Sequence, residues 1–328
     1  MSALLLTRVD VAGLMAPADY LDAVETAFRL SKQGRAPSPP PMHIPGVAGG
    51  FHAKGAALAG ARNVVALKFN GNFPGNSQRH LPTIQGVVLL CDAENGALLA
   101  IIDSIEITLQ RTAAASALAA RLLARADATV LAVCGCGAQA RAQAVALSTV
   151  LAFERGIAWD INPRKAAKYA AEMTRALGIP FDAAPVLRDA SRAGDVIVTC
   201  TTARKPFLDA ADVSPGAFIA AVGADSPNKS EIAPALMAKA KVVVDVLDQC
   251  LVMGDLHQAV KAGAMTAAEV HADLGDVVLG AKQGRTRPDE IVVFDSTGTA
   301  IQDAASAAMV YERAVQAKIG TTFTFAAP

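Results

Sequence analysis

The sequence is short of surplus charge and of aromatic rings. Of 328 residues, 30 are Lys or Arg and 30 are Asp or Glu, so the formal net charge is +0. A nucleic-acid-binding protein normally carries a basic excess, and this chain has none. Aromatics are only 5%, with a single Trp, which leaves little on which bases could stack. No apolar run approaches the roughly 18 residues that a membrane-spanning helix needs. The start, MSALLLTRVD, lacks the basic segment and long apolar core of a signal peptide. Cysteine is scarce and odd in number: Cys91, Cys134, Cys136, Cys200 and Cys250, four of them in apolar runs. They read as reduced, buried thiols of a cytoplasmic protein. Cys134 and Cys136 form a C-x-C pair, but no second pair or His cluster lies nearby, so no metal is expected.

What is abundant is apolar mass, 52% of the chain against 18% charged, enough for large cores and, at this length, about two domains. Residues 17–33 read as an amphipathic helix, with Pro17 in its first turn and Leu21, Val24, Ala27 and Phe28 at helical spacing. The Pro- and Gly-rich stretch 35–50 reads as loop. Strands follow at 64–69 and 86–91, and Ser104 is placed to cap a long helix running to about Arg125. From residue 129 short β-branched runs alternate with helical stretches: TVLAVC (129–134), GIAWD (156–160), DVIVTC (195–200), AFIAAV (217–222), KVVVDV (241–246) and IVVF (291–294). That alternation predicts an α/β fold, a Rossmann-type doubly wound parallel sheet over 119–298. A second, discontinuous α+β domain takes 1–118 and is completed by 299–328, where a last helix spans about 299–316.

The strand TVLAVC runs straight into Gly135-Cys136-Gly137-Ala138-Gln139-Ala140, a G-x-G-x-x-A fingerprint in its required context. Gly135 permits the tight turn, Gly137 leaves room for a pyrophosphate, and Ala140 lets helix and strand approach. The next strand ends at Asp160, whose carboxylate suits the ribose hydroxyls of NAD and repels a 2′-phosphate. Arg164 keeps NADP as the alternative.

Acid is absent from the whole stretch between Glu25 and Asp92, which holds Arg29, Lys32, Arg35, Lys54, Arg62, Lys68 and Arg79 with His43, His52 and His80. In a neutral protein this is a local positive field, suited to a carboxylate substrate. Lys68, between Leu67 and Phe69 on a strand, is costly to bury without an anionic partner. Arg111 lies in a helix that becomes mostly Ala and Leu. Asp225 follows AFIAAV at the carboxyl end of the sheet, where doubly wound folds place ligands, and an acid there can exchange a proton with an amine or imine nitrogen. His257 and His271 have no evident chemical role.

The segments ALKFNGNFPGN (66–76), LPTIQG (81–86), DSIEITLQRTAAASALAA (103–120), GCGAQA (135–140), GADSPNKSEI (223–232) and DSTGTAIQD (295–303) together resemble the ornithine cyclodeaminase/μ-crystallin family. Members of that family include cyclodeaminases, alanine dehydrogenases and imino acid reductases. The resemblance implies that Lys68 meets the carboxyl or carbonyl end of the substrate and that Arg111 lies near substrate and nicotinamide. It implies cofactor contacts by Thr83, Arg111, Thr112, Gly135, Gly137, Ala138, Gln139, Asp160, Thr201, Val222, Lys229 and Ser296. Asp225 matches the catalytic aspartate, Ser296 and Thr297 match residues closing the site, and a homodimer built through the first domain is implied as well.

One departure shapes the functional expectation. Ornithine cyclodeaminases carry a glutamate about a dozen residues before the lysine, whereas GGFHAKGAALAGARN (49–63) has no acid. A diamino acid would leave its distal ammonium unpartnered. His52 and Lys54 offer a grip for a second carboxylate instead. The expectation is an NAD(P)H-dependent reductase of a small imino or 2-oxo acid, equivalently an amino acid dehydrogenase. The alternatives are a cyclodeaminase-type lyase using NAD catalytically and a non-catalytic binding protein.

Overall fold

In the computed structural model, residues 2–325 are described. The chain begins β1 (Ser2–Leu6), α1 (Arg8–Leu14), α2 (Pro17–Lys32), β2 (Met42–Pro45), β3 (Gly50–Ala59), β4 (Asn63–Asn72), β5 (Ile84–Asp92), β6 (Leu98–Asp103) and α3 (Ser104–Leu123). It continues with β7 (Val130–Cys134), α4 (Ala138–Leu147), β8 (Arg155–Trp159), α5 (Pro163–Leu177), β9 (Phe181–Ala183), α6 (Leu187–Ala193), β10 (Val196–Thr199), β11 (Phe218–Ala221), α7 (Pro234–Lys239) and β12 (Lys241–Val244). Then come α8 (Leu247–Cys250), α9 (Asp255–Lys261), β13 (Ala272–Asp273), α10 (Leu274–Val278), β14 (Val292–Asp295), α11 (Ala300–Ala317) and β15 (Thr321–Thr324). Two compact units result: one up to Arg111 together with the residues from Thr299 on, the other Thr112–Gly298. The division falls inside α3.

The first unit is a seven-stranded mixed sheet in the order β15-β1-β6-β5-β4-β3-β2. Strict alternation along β4 turns Val64, Ala66, Lys68 and Asn70 inward and Val65, Leu67 and Phe69 outward. The antiparallel register sets Lys54 opposite Lys68 and His52 opposite both Asn70 and His43, so these side chains share the inner face. Helices α2 and α11 cover that face. Helix α11 fits closely because its buried stripe is largely alanine: Ala300, Ala304, Ala307 and Ala314.

The second unit is an eight-stranded sheet, β13-β12-β14-β11-β10-β7-β8-β9, with every pair parallel. Its central strands are covered on both faces, which is why Leu131, Val133, Ile197, Val198, Ile219 and Val293 are all fully buried and the sequence reads as apolar runs. Strand order reverses at β7, between β8 and β10, so the switch point of the sheet lies where β7 ends at Gly135.

Three sequence readings need correction. The stretch 35–50 is not all loop: β2 lies within it as a fully exposed edge strand. Strands β1, β3 and β6 were not legible, and β3 shows why. Its sequence, GFHAKGAALA, is poor in β-branched residues, and pairing on both sides makes it a strand. Ser104 does not cap α3. Its Oγ donates to Asn70 Oδ1 at 2.6 Å, and Asp103 Oδ1 accepts from Ile105 N instead.

Candidate active site

In the first unit Lys68 and Arg111 converge on one carboxylate that sequence reading did not assign. Lys68 Nζ lies 2.6 Å from Asp303 Oδ2, and Arg111 Nε donates to Asp303 Oδ1 at 2.9 Å. All three side chains are almost wholly buried. Arg111 Nη1 also donates to Gln302 Oε1 at 3.0 Å, and Lys68 Nζ reaches Thr108 Oγ1 at 3.4 Å. Burial is the largest influence on Lys68 and pulls its pKa down to about 7; Asp303 opposes this, while Arg111 and Lys54 add to it. Burial alone would raise the Asp303 carboxyl, but Arg111 and Lys68 more than offset it and hold the group below the usual carboxylate range. Asp303 is the last residue of DSTGTAIQD (295–303). The signal that could have found it is the cost of burying Lys68, which called for an anion that the acid-free segment could not supply.

His52 and Lys54 stand beside this cluster on β3, and the His52 ring lies 4.6 Å from the His43 ring, centroid to centroid. Thr83 is exposed just before β5, and its carbonyl accepts from Phe73 N.

In the second unit the fingerprint forms the turn that its glycines announced. Gly135 adopts φ +97°, and a Cβ there would lie 2.6 Å from Thr201 Cγ2. Gly137 differs: it caps α4 without a side-chain hydrogen bond, and a Cβ there would meet nothing within 4 Å. Nothing in the protein requires glycine at 137, whereas a pyrophosphate approaching the N-terminus of α4 would. Asp160 Oδ2 accepts from Cys136 N at 2.9 Å and Oδ1 from Asn162 N at 2.8 Å, which fixes a carboxylate beside the turn. Arg141 donates to Gly137 O and pairs with Glu172, bracing the turn on α4 and α5. Ala138 and Gln139 open α4, and Ala140 is buried. These residues fit a dinucleotide.

Asp225 is half exposed and forms a 2.6 Å ion pair with Lys229. Its loop is held by a residue that sequence reading passed over. Glu231 is fully buried; Oε1 accepts from Thr201 N and Oγ1, both at 2.6 Å, and Oε2 from Gly223 N at 2.8 Å. One carboxylate thus ties the loop after β10 to the loop after β11 that carries Asp225. Burial and Asp255 push its pKa up to about 7, against the hydrogen bonds from Thr201. Glu231 is the final acid of GAD-x-P-x-K-x-E, and that spacing was its only signal.

The remaining expected residues are buried in the same unit. Val222 N donates to Thr199 O, and Thr112 O accepts from Gln143. Ser296 Oγ is buried with no hydrogen-bond partner. Thr297 Oγ1 donates to Asp245 Oδ1 at 2.9 Å and accepts from Gln249 at 2.6 Å, so its one proton is already committed. His257 and His271 each bond a backbone carbonyl, of Leu251 and Gln283.

The model of the ornithine cyclodeaminase/mu-crystallin family matches residues 1–318. The chain belongs to that family. It is 39% identical over 325 residues to the alanine dehydrogenase of Archaeoglobus fulgidus, covering 99% of both chains. Among solved structures it is similar to an archaeal alanine dehydrogenase dimer with bound NAD, with TM-score 0.95, 38% identity and coverage of 99% and 100%. It is also similar to the Thermococcus litoralis Δ1-pyrroline-2-carboxylate reductase in complex with NADH and L-proline, with TM-score 0.94, 33% identity and coverage of 97% and 99%.

Proposed function

We propose that this protein is an NAD(P)H-dependent oxidoreductase that reduces at its α carbon a small imino acid, taken up as such or formed from a 2-oxo acid and ammonia or an amine with loss of water, or runs the reverse reaction on the amino acid. The observation that carries the reading is the buried Lys68–Asp303–Arg111 cluster, in which two cations share one carboxylate and a formal positive charge remains. An uncompensated buried charge is expensive, and a substrate carboxylate would complete it. A nicotinamide, when bound, would supply or take the hydride. Lys68 and Arg111 hold the acid, and their charge draws electrons from the adjacent C=N or C=O bond. Asp225, exposed to exchange and paired with Lys229, gives the proton to the nitrogen or takes it back.

Gly135, Gly137, Ala138, Gln139, Asp160 and Thr201 hold the dinucleotide, with Thr83, Thr112, Val222, Lys229 and Ser296 as further contacts. The Asp160 carboxylate favours NAD over NADP by repelling a 2′-phosphate. His52 and Lys54 extend the anchor toward a second carboxylate. Thr297 supports the site through Asp245 rather than by touching substrate, because its hydroxyl proton is spent there.

The outward face of the first unit's sheet supports a homodimer. Val65 and Leu67 are each 41% exposed, with Phe69 and its cross-strand partner Val87 beside them, an apolar patch suited to a second copy. The five cysteines are unpaired, and no helix among the described residues is long and apolar enough to cross a membrane. We place the protein in the cytoplasm. The test is consumption of NADH with a panel of 2-oxo acids plus ammonia or methylamine. Oxidation with at least one acid is expected, and none with any would end the proposal. Ammonia released from ornithine without net NADH change would favour a cyclodeaminase.

A further inference from the structure

The Lys68–Asp303–Arg111 cluster has the geometry of a built device rather than of a chance ion pair. Each oxygen of Asp303 serves one cation, Oδ2 for Lys68 and Oδ1 for Arg111. The carboxylate comes from the first turn of α11, where the helix dipole favours negative charge. The guanidinium is fixed a second time by Gln302, the neighbour of Asp303 on the same helix. Lys68 is on β4 and Arg111 on α3, so one turn of α11 sets two cations borne by different elements. The charged groups around the Lys68 ammonium are Asp303 from α11, Arg111 from α3 and Lys54 from β3.

As a stabilising feature the arrangement makes poor sense. A buried pair seldom outperforms apolar packing, and here the charges do not balance. Fixing two cations at a set separation makes better sense as preparation for an anion.

We propose that Asp303 is a positioning residue for the substrate anchor: its carboxylate holds the Lys68 ammonium and the Arg111 guanidinium on its two oxygens, so that both face an incoming carboxylate already placed and charged. The inference rests on the functional reading above, in which those two cations bind the acid. Without Asp303 the cations lose their shared anchor and repel, and Lys68 surrenders its proton at lower pH.

The experiment uses the full-length chain with the acid that the wild type reduces, over about pH 5 to 9. NADH fluorescence titration serves as the folding check. Asp303→Asn is expected to raise KM for the acid about tenfold or more through misplacement of the cations. It should also move the alkaline limb of kcat/KM down by about one pH unit or more. Asp303→Glu keeps the charge but moves it, so the limb should stay in place while KM rises about threefold or more. A purely structural role would leave the limb unmoved in both. Wild-type KM and limb in Asp303→Asn would overturn the inference. If that variant fails to fold, Asp303→Glu decides: unchanged KM for the acid overturns the inference, as does a raised KM accompanied by weakened NADH binding, and a raised KM with wild-type NADH affinity and melting temperature supports it. If the wild type reduces no acid at all, the functional reading fails and takes this inference with it. If the wild type is active and the variants match it, this inference alone falls.

Discussion

The two units bury charge in opposite ways. In the first, Asp303 meets Lys68 and Arg111, and opposite charges hold each other inside the protein. In the second, Glu231, Asp245, Asp255 and Asp295 are all buried, and the partners that hold them are backbone N–H groups, hydroxyls and a thiol. Asp255 Oδ1 alone accepts from Ser230 Oγ, Glu231 N and Ile232 N. The physical consequence is a difference in proton affinity. Burial raises the second unit's carboxyls, Glu231 to about 7 and Asp255 to about 6, whereas the cations around Asp303 keep that carboxyl low. Acids that brace loops tolerate a proton. An acid that organises cations must keep its charge.

The largest effect expected from breaking this contrast lies at Asp225, the exposed acid that belongs to neither pattern. On the proton-exchange role proposed for this carboxyl, Asp225→Asn should lower turnover by about 10² to 10⁴ in steady-state assays. Next comes Lys68→Met, which leaves Asp303 with one cation. KM for the acid should rise about tenfold or more with NADH affinity retained. A wild-type KM would refute the paired-cation anchor.

Within the second unit the two glycines of the turn sharpen the comparison between protein-imposed and ligand-imposed geometry. Gly137→Val should leave melting temperature unchanged and weaken NADH binding about tenfold, on the order of 1.4 kcal/mol. Gly135→Ala should destabilise the protein itself by about 1–3 kcal/mol, since φ +97° and the contact with Thr201 disfavour a side chain.

The smallest expected effect is on the pH dependence of stability. Glu231 and Asp255 have raised pKa values, so their contribution is complete below the ordinary carboxylate range and is lost as pH rises through about 6 to 7. Lys68 has a lowered value, so its contribution is complete above the ordinary lysine range and is lost as pH falls through about 7. Melting curves of Glu231→Gln should show a flatter decline between about pH 5 and 7, and those of Lys68→Met a flatter rise above about pH 7. Unchanged slopes would show that these groups do not titrate as their burial demands.

The sequence by itself determined the parallel sheet, the dinucleotide turn and the family. Those features are written locally: apolar runs bounded by turns, glycines at fixed offsets, and motifs that recur as unbroken strings. It also flagged Lys68 correctly as a cation in need of an anion. Only the tertiary structure decided which anion answers it, because Asp303 lies on α11, far along the chain from β4, and no spacing rule links the two. The same holds for Glu231, which joins loops after β10 and β11, and for β3, whose alanines and glycines form a strand through its neighbours' hydrogen bonds rather than by preference. Local chemistry fixes what a segment is able to do; burial and the meeting of distant segments fix which charges it must do it with.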